Sequence, residues 1–188
     1  MHWTEIPGLS QAHMEAFFQA AMLPDSQLKH HGVIPRMDPR FVACDFEKGM
    51  LDVAYDVQAW ELNPEDVIHG GMISTALDTT MGMLCHYFTH LSAPTVVTVT
   101  MNVSFLKPIV LGDTFHIKCQ LDSIGRTLQT VKAEVRLERD DVLACIATAT
   151  FMAVSGSGGG TRGTDYISRR HQFSGKYGAV AFSAGAPP

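Results

Sequence analysis

The four cysteines of this chain, Cys44, Cys85, Cys119 and Cys145, form no Cys-x-x-Cys pair, and each falls in a segment patterned as helix or strand. That spacing argues against a zinc knuckle, a redox motif and a disulfide scaffold, and reads as reduced core thiols in a cytosolic protein. Basic charge is also scarce: 14 Lys and Arg stand against 19 Asp and Glu, for a net charge of -5. The basic residues are scattered, so no stripe can neutralise a row of phosphates, and nucleic acid is not an expected partner. No run approaches the roughly 18 uninterrupted apolar residues of a spanning helix. The N-terminal MHWTEIPGLSQ has neither the basic nor the apolar region of a secretory leader. The expectation is a cytoplasmic protein with no membrane partner.

Familiar catalytic signatures are missing too, with no Gly-x-Ser-x-Gly, no P-loop and no EF-hand loop. Gly158, Gly160 and Gly163 match the dinucleotide fingerprint in letters, but no strand-helix-strand unit follows them. His86 and His90 have the i, i+4 spacing of two imidazoles over one metal, yet no Glu lies between them and no third ligand is apparent. Both are expected at the exposed end of a helix, and neither a metal nor an organic cofactor is expected.

What the chain does have is apolar patterning, at 46% hydrophobic residues, enough for one domain with a sizeable core. Residues 1–39 read as an N-terminal helix and connector, the helix opening at a Ser10 cap with Met14, Phe17, Phe18, Ala21 and Met22 at helical spacing. Two strands follow around Lys48-Gly49. In the second, Leu51, Val53, Tyr55 and Val57 alternate with Asp52, Asp56 and Gln58, which gives one dry face. In residues 71–90, Ile73, Ala76, Leu77, Met81, Leu84 and Phe88 mark a helix so apolar that it must be surrounded. Four strands come after it. The first sends Val97, Val99, Met101, Val103 and Phe105 one way and Thr98, Thr100, Asn102 and Ser104 the other, and the last is apolar on both faces. Residues 155–188, rich in Gly and Ser, read as a flexible tail. One long buried helix between two strands and four more fits an α+β architecture, a curved antiparallel sheet wrapped around the helix. The open edges of such a sheet favour self-association.

The stretch NPEDVIHGGMISTALD carries the candidate chemistry. Asp78 is the only acid between Met72 and His90, and no Lys or Arg in that span can pair with it. A carboxylate so placed must reach a cleft, touch solvent on a narrow wet face, or be protonated. His69-Gly70-Gly71 falls where the helix begins, where backbone N–H groups lack partners and glycine lets an oxygen approach closely. That pattern suits either an oxyanion hole or an ordinary Gly-rich loop. Asn63 suits either a cap on the Asn63-Pro64 turn or an amide that orients water.

The spacing Asn-x5-His-Gly-Gly-x6-Asp, followed by APTVVTVTMNVSFLKPIVLGD, resembles the PaaI-type acyl-CoA thioesterases of the hotdog fold, over roughly residues 40–154. The resemblance implies hydrolysis of acyl-CoA without a cofactor. Gly70 N–H would polarise the thioester carbonyl, and Asp78 would act as nucleophile or general base. Asn63 and His69 would order water and loop, and Thr98 would assist the carboxylate. It also implies a dimer or tetramer whose sites lie between subunits, with Asp78 facing Asn63 and Gly70 of a partner chain. On their own residue types, Met72, Met81 and Met101 suit either an adaptable acyl pocket or core filling, Lys107 and Arg126 suit either the CoA phosphates or solvated surface, and Gly71 is a candidate substrate contact. Relatives often have glycine three residues before the histidine, where this chain has Asp66. Two other functions remain open, a hotdog dehydratase or hydratase and a non-catalytic acyl-CoA sensor.

Overall fold

A computed structural model describes residues 2–26, 28–29, 32–92 and 95–154. The expected Gly- and Ser-rich tail lies outside them. Helix α1 (Gln11–Ala21) starts at Ser10, whose hydroxyl accepts from His13 N–H as the sequence leads one to expect, and it buries Met14 and Phe18. A short helix α2 (Ile34–Met37) leads into strands β1 (Arg40–Asp45) and β2 (Met50–Asp56), joined at Gly49 in a left-handed conformation. The central helix α3 (Gly70–Thr89) is followed by β3 (Thr95–Phe105), β4 (Thr114–Ile124), β5 (Leu128–Leu137) and β6 (Leu143–Val154).

The six strands form one antiparallel sheet in the order β1-β2-β4-β5-β6-β3. Register shifts in β1, β3 and β4 curve it around α3. This is the curved sheet around one helix that the patterning predicts, and the hotdog fold that the resemblance implies. All six positions of the predicted helix stripe, from Ile73 to Phe88, are buried. So are Leu51, Val53, Tyr55 and Val57 of the dry strand face. Hydroxyls on α3 bond back to the helix itself, Ser74 to Gly70 O at 2.8 Å and Thr79 to Thr75 O at 2.8 Å, so a Ser- and Thr-bearing helix can sit inside a sheet without stranded donors. The buried Tyr55 hydroxyl meets Thr80 Oγ1 at 2.9 Å. All four cysteines are free thiols, three of them buried, and burial pushes Cys85 up to about 12.

Three expectations need correction. The alternation in β3 is broken at Val99, which stands between the paired Thr98 and Thr100 and is 51% exposed. Val96 and Thr98 thereby join Met101 and Val103 on the side of the sheet that holds α3. Strand β6 is interior to the sheet but is not apolar-buried on both faces, because Ile146 is exposed. His86 and His90 are half-buried rather than exposed, for α1 lies over them: the His13 and His90 rings stack at 5.8 Å, and Phe17 approaches His86 at 6.1 Å. Among the described residues no helix is long and apolar enough to cross a membrane.

Candidate active site

Asp78 sits on the eighth residue after Gly70 in α3, half-buried, with Thr98 of β3 across from it. Thr98 Oγ1 donates to Asp78 Oδ1 at 2.5 Å, and no Lys or Arg among the described residues pairs with the carboxylate. The bulge at Val99 makes this contact possible, since strict alternation would turn Thr98 away from the helix. Asp78 and Thr98 line a cleft of about 370 Å³ together with Met83, His86 and Phe151. Gly82 lies one turn beyond Asp78, and a Cβ there would stand 3.2 Å from the Phe151 ring, so the missing side chain is what lets that ring lie against the helix.

The helix start is built differently. His69 is the N-cap, and its Nδ1 accepts from Gly71 N–H at 3.1 Å. Met72 N–H donates to His69 O at 2.8 Å, while Gly70 N–H has no acceptor among the described residues, as the first position of a helix ordinarily lacks one. His69 N–H donates to the carbonyl of buried Glu61 at 2.8 Å, which ties the helix start to the preceding 3₁₀ turn. A second cleft, about 430 Å³, runs past Gly70, Ile73, Phe105 and Lys107. A Cβ on Gly70 would meet the Phe105 ring at 3.2 Å, so glycine lets that ring lie close against the helix start.

Asn63 holds the loop between these parts. Its Oδ1 accepts from Glu65 N–H at 3.0 Å and Val67 N–H at 3.3 Å, which commits the carbonyl to an Asx-type turn and leaves the amide NH₂ for other work. Asp66 adopts φ 58, a left-handed conformation that glycine occupies without strain. Asp, with its short polar side chain, tolerates it better than most residues, so the turn forms without glycine.

Gly70 and Asp78, eight residues apart, are separated by ~12 Å along α3 at 1.5 Å per residue, and they line separate clefts. One chain therefore does not bring them together. Of the other candidates, Lys107 lies beside Gly70, whereas Arg126 lies in the β4–β5 turn with Phe88 and Leu91, at the opposite end of α3. Gly71 is exposed with its N–H taken by His69, Met72 is half-buried against the core, and Met81 is fully buried and lines neither cleft. Sequence reasoning missed Leu28 and Ile34, which reach the Asp78 cleft from the connector. No spacing rule connects that connector to α3. Among the described residues no cluster of His, Cys, Asp and Glu could hold a metal ion.

A curved antiparallel sheet wrapped around one long apolar helix defines the hotdog class. The thioesterase superfamily model matches residues 65–144. A phenylacetic acid degradation-related protein of Ralstonia eutropha is 30% identical, with a TM-score of 0.59 over 64% of this chain and 89% of that one. A Streptococcus mutans protein solved with acetyl-CoA bound is 28% identical, with a TM-score of 0.54 over 63% and 92%. The Escherichia coli PaaI protein shares the fold at 19% identity, with a TM-score of 0.65 over 79% and 99%. The chain belongs to the hotdog-fold thioesterase superfamily and is PaaI-like at the family level.

Proposed function

We propose that this protein hydrolyses acyl-CoA thioesters to a free acid and CoA. The observation that carries the reading is the Thr98–Asp78 hydrogen bond of 2.5 Å at the edge of a cleft on the central helix. With one oxygen fixed by Thr98, the other carboxylate oxygen is left to take a proton from water or to attack the carbonyl carbon itself. In the first route the hydroxide oxygen bonds to that carbon, negative charge moves to the carbonyl oxygen, and CoA departs as thiolate when the tetrahedral intermediate collapses. In the second, the Asp78 carboxylate bonds to the carbonyl carbon, CoA departs as thiolate to leave a mixed anhydride, and water cleaves that anhydride to the free acid and the Asp78 carboxylate. Both routes place negative charge on the carbonyl oxygen, and an unpaired N–H such as that of Gly70 stabilises it. Removing one such donor typically costs ~3 kcal/mol of barrier.

Because Asp78 and Gly70 do not meet within one chain, a second copy supplies the Gly70 that faces each Asp78. Strand β3 is an edge strand carrying exposed Val99, with exposed Phe105 and Leu106 at its end, which is a surface suited to that copy. The amide of Asn63 holds the water, and His69 fixes the helix start that aims Gly70. Lys107, exposed beside Gly70, suits a CoA phosphate, in keeping with the acetyl-CoA bound by the Streptococcus mutans relative. This chemistry needs no metal or organic cofactor.

The test is free-thiol release over a panel of acyl-CoAs. Asp78→Ala is expected to leave a folded protein that still binds acyl-CoA and hydrolyses it about a hundredfold more slowly, or worse. Equal rates in the two proteins would refute the assignment. Tight binding without turnover in either would make the protein a sensor.

A further inference from the structure

We propose that the connector between α1 and β1, through Leu28 and Ile34, is the wall that limits the length of acyl group admitted to the Asp78 cleft. The inference rests on the thioesterase reading only for the identity of the occupant.

The cleft has a polar end and an apolar body. Asp78 and Thr98 occupy the polar end. Beyond them come Met83, Val96 and Phe151, with His86 two turns down α3 from Asp78. Burial, and then the neighbouring His90, hold the His86 imidazole below its ordinary range, so it presents a neutral ring at neutral pH. No Lys or Arg is among the described lining residues, so nothing there pairs with a second carboxylate on the acyl group. Eight residues of helix separate Asp78 from His86, ~12 Å along the axis, which an extended chain of about ten carbons spans.

Leu28 and Ile34 are the only described lining residues that come from outside the sheet and α3. They belong to a segment that lies wholly before residues 65–144, the stretch matched by the superfamily model. That segment is pinned. Met37 is buried at 1% exposure, Arg36 lies 4.3 Å above the Trp60 ring, and Lys29 pairs with Asp38 at 2.5 Å. Met37 and Arg36 hold this wall to the body of the protein and the Lys29–Asp38 pair ties its two ends together, so it resists displacement by extra methylenes, and in an apolar pocket each methylene too many is discriminated by about tenfold or more. Helix α3 and strand β3 thus provide the reacting groups, and the connector before β1 provides the length limit.

The experiment compares kcat/KM for butyryl-, octanoyl- and myristoyl-CoA in wild type, Ile34→Trp, Ile34→Ala and Leu28→Ala, with circular dichroism confirming the fold of each. Calorimetry with the corresponding uncleavable acyl-CoA thioethers reads the same cleft without turnover. Ile34→Trp is expected to lower the octanoyl-to-butyryl ratio at least about tenfold, and the two alanine variants to raise the myristoyl-to-octanoyl ratio by a similar factor. Ratios and thioether affinities that stay within about twofold of wild type in the folded variants would overturn the wall. If Ile34→Trp does not fold, the alanine variants decide. If no thioester is cleaved while thioether affinity still shifts with length as described, the wall stands and the hydrolytic reading falls.

Discussion

Thr98 is a small residue with a large expected effect. Its hydroxyl is the one side chain among the described residues that bonds Asp78, and hydrogen bonds to charged groups contribute about 1.5–3 kcal/mol. Thr98→Val keeps the β-branched shape at that strand position and removes only the donor, so the protein should fold with an unchanged melting temperature to within a few degrees. Its kcat should fall by roughly tenfold to a hundredfold while KM moves little, the signature of an interaction felt mainly in the transition state. Thr98→Ser should recover most of the rate. A Thr98→Val enzyme as fast as wild type would mean that Asp78 needs no partner. Residue chemistry here was partly legible in advance. The run without Lys or Arg singled out Asp78 as an acid in need of a cleft, solvent or a proton and the resemblance gave it a role, whereas Thr98 had support only from resemblance, because its own alternation pointed it away from the helix.

At the scale of elements, α1 and α3 meet through an unusual set of rings. His13 stacks on His90, hydrogen bonds Tyr87 OH at 3.3 Å, and stands on the same helix as Phe17, which covers His86. Burial first, and the nearby His90 second, hold both His13 and His86 below the ordinary imidazole value of about 6.5. The unfolded chain therefore takes up these protons at a higher pH than the folded one. Stability from this contact is complete above about 6.5 and is lost as pH falls toward the depressed folded values. Melting temperatures measured from about pH 7.5 down to 5.5 should decline in wild type, and the decline should be shallower in His13→Phe. Identical slopes would show that the α1 contact does not titrate. The sequence announced α1 by its cap and its apolar spacing. It could not announce that the buried face of α1 would land on two histidines of α3.

At the scale of the whole molecule, β3 ends the sheet with an edge unpaired among the described residues, and Val99 and Leu106 are 51% and 48% exposed there. Edges of this kind are normally covered, and in the proposed assembly the second copy that covers β3 is the one that supplies Gly70 to Asp78. The double variant Val99→Glu with Leu106→Glu should sediment as a monomer, retain its far-ultraviolet spectrum, and lose thiol release by at least about tenfold, because like charges meeting across a buried interface are costly. A fully active monomer would show that each chain holds a complete site.

The sequence by itself determined the periodicities. The long helix, the six strands, the turns at Gly49, Gly125 and Asp141, and the acid in mid-helix all follow from patterns within a few residues of each position, where local sterics and burial act. Only the tertiary structure decided which face Thr98 presents, what lies over His86, that Gly70 and Asp78 open into separate clefts, and that Leu28 and Ile34 border one of them. Those outcomes depend on a bulge set by pairing with β6 and on contacts between segments distant in the chain, and no local window carries that information.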